Sequence, residues 1–134
     1  MSGLKVTILG CGSSFGVPLF HNIWGKCDPN EPKNIRTRPS IFLQKNGKNL
    51  LIDTSPDLKQ QLLNNKINNI DGVFYTHEHA DHTHGINELR SINLIHKKII
   101  PCYGSDKTMD NIVNSFNYLF KNTNKSYYPA ILSR

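Results

Sequence analysis

Four residues with metal-binding side chains fall within six positions of this chain: His77, His79, Asp81 and His82. They come directly after residues 72–75, an apolar run typical of a buried strand. Alternate side chains of extended backbone point the same way, so His77 and His79 can converge on one ion. Asp81 and His82 fall where the chain turns toward a helix and can serve a second ion. Imidazole and carboxylate are ligands that suit zinc, so this pattern predicts a metal site at the end of a strand.

Four further residues are candidates for supporting this site: Asp53, His84, Arg36 and Arg38. Asp53 ends a predicted strand at the same edge of the sheet, where its carboxylate can hydrogen-bond a metal-bound histidine. The alternative for Asp53 is a turn residue before a helix. His84 can support the site in a similar way or lie on the surface. The two arginines can clamp a phosphate group, although exposed loop arginines are common.

The elements that must position these residues alternate between strands and helices. Strands are predicted at residues 5–9, 40–45, 49–53, 72–75 and 99–103, and helices at residues 56–64, 85–95 and 107–120. The Asn46-Gly47 pair predicts a type I′ hairpin turn, and Ser55 is the expected N-cap of the first helix. No element is predicted for residues 121–134. This order is typical of an α/β layered fold.

Apolar spacing predicts which side of each helix faces the core. The expected inward residues are Leu58, Leu62 and Leu63 in the first helix, Ile86, Leu89, Ile92 or Asn93, and Ile95 in the second, and Met109, Ile112, Val113, Phe116 and Phe120 in the third. These side chains would form the helical part of one hydrophobic core, which a chain of 134 residues is long enough to bury.

The composition limits the classes of protein to which the chain can belong. Hydrophobic residues make up 37% of it and charged residues 19%, a globular balance. No apolar run approaches the ~20 residues that span a bilayer. The N-terminus has the pattern of a first strand and not of a secretory signal. We therefore expect the cytoplasm as the location and no membrane partner.

Charge and cysteines carry less information about function. The net charge of +6 suits an anionic substrate, including a phosphate ester or nucleic acid. The lysines are scattered, however, and compositional bias of the genome is an alternative explanation. Cys11, Cys27 and Cys102 are far apart and form no CxxC pair, so we expect three reduced thiols.

The segment from His77 to His82, His-Glu-His-Ala-Asp-His, matches the HxHxDH signature of the metallo-β-lactamase superfamily. Other segments resemble the branch of that superfamily that includes phosphoribosyl cyclic phosphodiesterases. These are the glycine-rich loop at residues 10–18, the Leu-Ile-Asp-Thr-Ser-Pro-Asp stretch at residues 51–57 and the continuation at residues 83–90. Together the resembling segments occur in the right order over nearly the whole chain.

This resemblance implies an αββα sandwich, of which the chain would be the N-terminal half, a mixed sheet with flanking helices. It also implies a centre of two divalent ions, zinc or manganese. One ion would take His77 and His79, and the other Asp81 and His82. The expected reaction is hydrolysis of a small phosphodiester by a water that bridges the two ions, with Asp81 also orienting that water.

The chain departs from the superfamily pattern in its length. Members supply a third histidine, a bridging aspartate and a last histidine from the second half of the fold, and no substitutes for them are found before Arg134. We therefore expect one truncated domain over residues 1–134, with weak activity or none. A complementing chain or a second copy that completes the site is the alternative.

Other functions remain open on this sequence. A non-catalytic metal-binding remnant or interaction module would explain the missing ligands. An endonuclease of the transfer-RNA 3′-processing kind would share the fold but is expected to carry an RNA-gripping arm, which the sequence does not show, so nucleic acid is not the favoured substrate. Hydrolysis of a thioester or lactam is a weaker alternative, because the loop at residues 10–18 resembles the phosphodiesterase branch.

Overall fold

The computed structural model describes residues 3–122 and 129–134, in which a six-stranded sheet packs against helices. The strands are β1 (Lys5–Gly10), β2 (Ser40–Lys45), β3 (Lys48–Ile52), β4 (Gly72–Phe74), β5 (Ile100–Tyr103) and β6 (Leu132–Ser133). The helices are α1 (Leu58–Asn64), α2 (Ala80–Thr83), α3 (Leu89–His96), α4 (Asp106–Ser115) and α5 (Asn117–Phe120). The predicted α/β fold, a mixed sheet with flanking helices, is confirmed.

The strands lie side by side in chain order, antiparallel from β1 to β3 and parallel from β3 to β6. Asn46 and Gly47 have φ angles of 50° and 74°, as the predicted type I′ turn requires, and Lys45 pairs with Lys48 across that turn. No element was predicted beyond Phe120, but β6 pairs with β5. A strand of two residues is too short to show periodicity; residues 123–128 of that prediction lie outside the described residues.

Two predicted helix starts are wrong by a few residues. The first helix begins at Leu58, because the Ser55 hydroxyl donates to Gln61 Oε1 and accepts from the Asp57 N–H, so that it does not cap a helix starting at residue 56. A 3-10 turn, Ile86–Glu88, precedes α3. The predicted third helix is two helices, which a non-helical backbone at Phe116 (φ −123°, ψ 38°) separates.

Two predicted core residues are on the surface: Leu63 is 62% exposed and Ile95 is 69% exposed. Successive residues of an α-helix are rotated by ~100° about its axis. Leu63 therefore lies about 140° around its helix from the buried Leu58, and Ile95 about 120° from the buried Leu89. The amide side chain of Gln61 takes the buried position next to Leu62 instead. Met109, Ile112, Ile86, Leu89 and Ile92 are buried as predicted, whereas Val113, Phe116 and Phe120 are half-buried.

The two faces of the sheet differ in what covers them. Side chains such as Leu51, Val73 and Ile100 are buried against the helices in one core cluster. The side chains that alternate with them point to the opposite face, where Ile8 is 66% exposed and Phe74 is 41% exposed. Among the described residues, no helix or strand covers this second face. It is the apolar face that half of a two-layered sandwich presents to its other half.

The three cysteines are free; Cys11 and Cys27 are exposed, and Cys102 is buried in β5. Burial raises the pKa of the Cys102 thiol to about 12, so this thiol stays protonated at neutral pH. Within the described ranges, none of the helices has the length and apolar character needed to cross a membrane.

Residues 53–55, which we call the Asp53 loop, hold residues 76–82, the histidine loop, against the end of the sheet. The Thr54 N–H donates to the His82 carbonyl at 2.8 Å, and the Gly85 N–H donates to the Thr54 carbonyl at 2.9 Å. A Cβ atom at Gly85 would lie only 1.9 Å from the Ser55 carbonyl oxygen. Only glycine therefore allows the two loops to approach this closely.

Gly85→Ala is expected to lower the free energy of unfolding by about 3 kcal/mol, because the new methyl group forces the two loops apart. The backbone of Gly85 (φ −87°) suits alanine, so the effect isolates the clash. Urea unfolding measures the loss. Gly3→Ala is the matched control, since nothing lies within 4 Å of its added Cβ; equal midpoints for the two variants would contradict the close approach.

An ion pair joins the chain before β2 to the start of α1. The Arg38 guanidinium donates from Nε to Asp57 Oδ2 at 2.8 Å and from Nη2 to Asp57 Oδ1 at 2.5 Å, and the Arg38 N–H adds a third bond. The side-chain hydrogen bond from Arg38 lowers the pKa of Asp57 below its ordinary value of 3.8. The ionised carboxylate of Asp57 therefore stabilises the fold above that pH, and this stabilisation is lost as the pH falls through the lower folded-state value.

Arg38→Met is expected to lower the unfolding free energy at pH 7 and to flatten the loss of stability as the pH falls below the ordinary pKa of 3.8 of an aspartate. The methionine keeps an unbranched apolar stem but leaves Asp57 without its partner. Unfolding by urea over a pH series measures both effects. Arg36→Met, at an exposed side chain nearby, is the control and should leave the acid dependence unchanged. An unaltered acid limb in Arg38→Met would show that the pair does not set it.

Candidate metal centre

The histidine loop brings together the four side chains that the sequence singles out. The His77 ring lies against two others, with ring centroids 4.7 Å from His79 and 4.0 Å from His82. Asp81 Oδ2 lies 3.4 Å from His82 Nε2. The loop leaves β4 in extended backbone, and α2 starts immediately after His79. Three imidazoles and one carboxylate therefore converge at the end of the parallel strands.

The donor chemistry of this cluster suits a divalent ion such as zinc, because it consists of imidazole nitrogens and a carboxylate. In residues 3–122 and 129–134, however, no group of three or more His, Cys, Asp or Glu side chains is arranged so as to hold a metal ion. The cluster side chains contact one another instead, as the His82–Asp81 distance shows. The four side chains therefore fit a metal ion in the kind of donor they offer but are not arranged around one.

Asp53 is the carboxylate that organises the loop. It is only 4% exposed and has a φ angle of 61°, which turns its side chain back toward the histidines. Its oxygens accept from the Thr76 N–H at 2.8 Å and from the Thr76 hydroxyl at 2.7 Å, and Oδ2 lies 2.7 Å from His82 Nδ1. An ionised carboxylate can only accept, so His82 Nδ1 carries a proton and Nε2 is the nitrogen available to a metal.

Thr76 extends the same orientation to a second histidine. Its oxygen lies 3.0 Å from His77 Nδ1. Because the single hydroxyl proton of Thr76 goes to Asp53, this oxygen is left to accept from His77 Nδ1–H. The Nε2 atom of His77 is then unprotonated in the neutral ring and can coordinate an ion. The sequence analysis missed Thr76, although a hydroxyl residue directly before the first histidine of a metal loop is a usable signal.

A buried hydroxyl chain fixes the base of the loop. Burial raises the pKa of Tyr75 well above its ordinary value, so its phenol remains a donor. The Tyr75 hydroxyl lies 3.1 Å from Thr54 Oγ1, which itself donates to the Thr83 carbonyl at 3.1 Å. Thr83 in turn donates to the His79 carbonyl at 2.9 Å. These contacts lock both ends of the histidine loop onto the Asp53 loop.

The remaining candidates lie at the border of the cluster. His84 is exposed and packs edge-on against Phe116, with ring centroids 5.6 Å apart, so it turns away from the other three histidines. The hydrogen bond to Asp57 raises the pKa of Arg38, and the nearby charges of Asp57 and Asp81 add to the effect. Arg38 therefore lies close to the loop, but Asp57 occupies its guanidinium. Arg36 is exposed and bonds Val17 through its backbone.

Glu78, which lies between the first two histidines of the loop, faces another direction. Its carboxylate accepts from Asn111 Nδ2 at 3.2 Å. A pocket of about 230 Å³ lies here between the histidine loop and α4, and His84 and Phe116 also line it. Glu78 therefore lies apart from the side of the loop where the three histidines and Asp81 converge.

Comparison with known proteins places these features in a family. Residues 48–131, more than half of the chain, match the model of the β-lactamase superfamily domain. The chain is 35% identical over 128 residues to an octanoyltransferase of Porphyromonas gingivalis. This match covers 95% of the chain and 25% of that protein. A crystal structure of a diphosphatase from the PhnP family is 36% identical, with a TM-score of 0.76, over 87% of this chain and 47% of that one.

More distant structures share the fold. Zinc-bound PqqB from Methylobacterium extorquens is 23% identical with a TM-score of 0.63, over 81% of this chain and 40% of that one. The short form of human tRNase Z has the same identity and TM-score, over 96% of this chain and 42% of that one. The chain thus spans a quarter of the length of the curated relative and less than half of each of these structures. From its sequence match and its fold together, the chain belongs to the metallo-β-lactamase superfamily.

Proposed function

We propose that this chain carries the metal-binding loop of a hydrolase that cleaves small phosphodiester or diphosphate compounds. The observation that carries the proposal is the convergence of His77, His79, Asp81 and His82, with Asp53 directing the Nε2 atom of His82 outward. The diphosphatase relative at 36% identity supports a substrate with a phosphorus centre. The positive net charge of the chain also favours an anionic substrate such as a phosphate compound.

His77 and His79 would hold one divalent ion, and Asp81 and His82 the other. Two zinc ions, or manganese ions, bound there would supply Lewis-acid chemistry and make water nucleophilic at neutral pH. Asp53 holds His82 in the tautomer that leaves Nε2 free, and Thr76 does the same for His77. Asp81 would accept a hydrogen bond from the attacking water and so orient it toward phosphorus.

Further donors would complete this centre. We propose that they come from the part of the fold that the longer relatives possess or from a complementing chain or second copy. The exposed apolar face of the sheet, which includes Ile8 and Phe74, is the surface against which such a second layer would pack. The activity would then depend on assembly of both layers.

A second candidate is a metal-binding domain without catalytic activity. It is favoured by the convergence of His77, His79 and His82, whose imidazoles suit an ion whether or not a substrate site is present. An RNA-processing endonuclease gains less support, because the tRNase Z neighbour at 23% identity shares only the fold.

Hydrolysis of bis-p-nitrophenyl phosphate by the purified chain with added zinc or manganese tests the proposal. Turnover by the chain is expected to be weak, because further donors would complete the centre, and to fall at least about 100-fold in His79→Ala, because this variant removes a metal ligand. His96→Ala is the control, since His96 lies at the other end of the sheet, where its ring bonds the Asn68 carbonyl. Zinc binding without turnover would favour the non-catalytic domain, and turnover that survives in His79→Ala would place the activity elsewhere.

A further inference from the structure

The end of the sheet opposite the histidine loop carries six of the sixteen Lys and Arg residues of the chain. The histidine loop follows the carboxyl end of β4, so the amino ends of β1, β4 and β5 and the β2–β3 hairpin lie at the other end. The lysines there are Lys5, Lys45, Lys48, Lys66, Lys97 and Lys98. Among the described residues, Asp71 is the carboxylate at this end, and Lys98 binds it at 2.7 Å.

A polar pocket of about 260 Å³ opens at this end of the molecule. The residues that line it include Lys5, Gln44, Asn65, Lys66, Asn68 and Asn69. Among the described residues that line the pocket none is acidic and two are lysines. Asp71 lies beside it, where its carboxylate accepts from the Asn49 N–H and from Asn69 Nδ2. Uncompensated cations with amide N–H donors are the groups that recognise an oxyanion.

The two lysines differ from their neighbour Lys98 in having no ion-pair partner within the described residues. Their backbones are fixed, because Lys5 pairs with Gln44 at the start of β1 and the Lys66 N–H bonds the Leu63 carbonyl just after α1. Side chains on a rigid backbone lose less entropy when they close on a ligand. The pocket therefore combines two lysines that lie outside any ion pair of the described residues with a backbone that is fixed beneath them.

The carboxamides of the pocket keep donor capacity. Gln44 Nε2 donates to Asn49 Oδ1, and Asn65 Nδ2 donates to the Gln61 carbonyl. Each of these NH₂ groups has two protons, so one remains for a ligand.

We propose that this pocket binds a phosphate group, from inorganic phosphate or from the backbone of a nucleic acid. The site lies at the opposite end of the sheet from the histidine loop and is independent of the proposed hydrolysis. Lys45 and Lys48 in the hairpin lie at the same end and would extend the attraction to a longer polyanion. Phosphate binding here would anchor a phosphate-bearing molecule without exposing that phosphate to the metal loop.

Heteronuclear NMR of the whole chain without added metal tests this site with two probes, inorganic phosphate and a uridine oligonucleotide. We expect saturable shifts of the side-chain amide signals of Asn65, Asn68 and Asn69, while the signals of His77 and His79 stay unchanged. In the double variant Lys5→Gln/Lys66→Gln the affinity should fall about tenfold or more, because two charge-assisted contacts are lost. Lys107→Gln, at the exposed start of α4, is the matched control and should bind like the original chain.

The two probes distinguish the sources of the phosphate. Oligonucleotide binding that is tighter than phosphate binding, weakens with salt and is lost in the double variant assigns the site to a nucleic-acid backbone. Equal or weaker oligonucleotide binding assigns it to free phosphate. Absence of saturable shifts with both probes, or an equal loss of affinity in Lys107→Gln, overturns the proposal; the spectra themselves report whether each variant is folded.

Discussion

The buried carboxylate of Asp53 is the constraint on which the candidate metal centre depends. It stands at the end of β3 with a positive φ angle, an uncommon conformation for a residue with a side chain. This backbone directs both oxygens at Thr76 and His82 of the neighbouring β4–α2 connection. A buried charge is costly unless it is hydrogen-bonded, and these contacts are what make its burial tolerable. The orientation of two histidines follows from this one residue.

The rest of the fold keeps Asp53 within reach of the histidine loop. Gly85 allows the Asp53 loop to approach the turn after α2, and the Tyr75–Thr54–Thr83 chain bonds the two segments through buried hydroxyl groups. Arg38 and Asp57 tie the start of α1 to the chain before β2, close to Asp81. Asp53, Asp81 and the three histidines of the loop thus gather at the carboxyl ends of the parallel strands, whereas Lys5, Lys66 and the hairpin lysines lie at the opposite end. This separation of charge gives the two ends of one sheet different ligand chemistry.

Much of this arrangement could be predicted from sequence, because the signals are local. The HxHxDH spacing after an apolar strand places the four candidate ligands, and Asn46-Gly47 defines a hairpin by its own backbone preferences. From sequence, Asp53 could equally be a turn residue before a helix, because its contact with His82 joins residues 29 positions apart. The pairing of Arg38 with Asp57 spans 19 positions and also has no local signal. Ser55 resembles a helix N-cap in sequence, but a buried glutamine competes for its hydroxyl.

The most direct test of the role of Asp53 is a zinc titration, measured by calorimetry, of the unaltered chain and of the Asp53→Asn variant. An asparagine amide would donate to His82 Nδ1 and so place the ring proton on Nε2, the nitrogen that a metal needs. The account predicts saturable zinc binding by the chain and an affinity about 10–100-fold lower in Asp53→Asn, with the fold retained by circular dichroism. Equal zinc affinity in the two proteins, or no saturable binding by the unaltered chain, would contradict it.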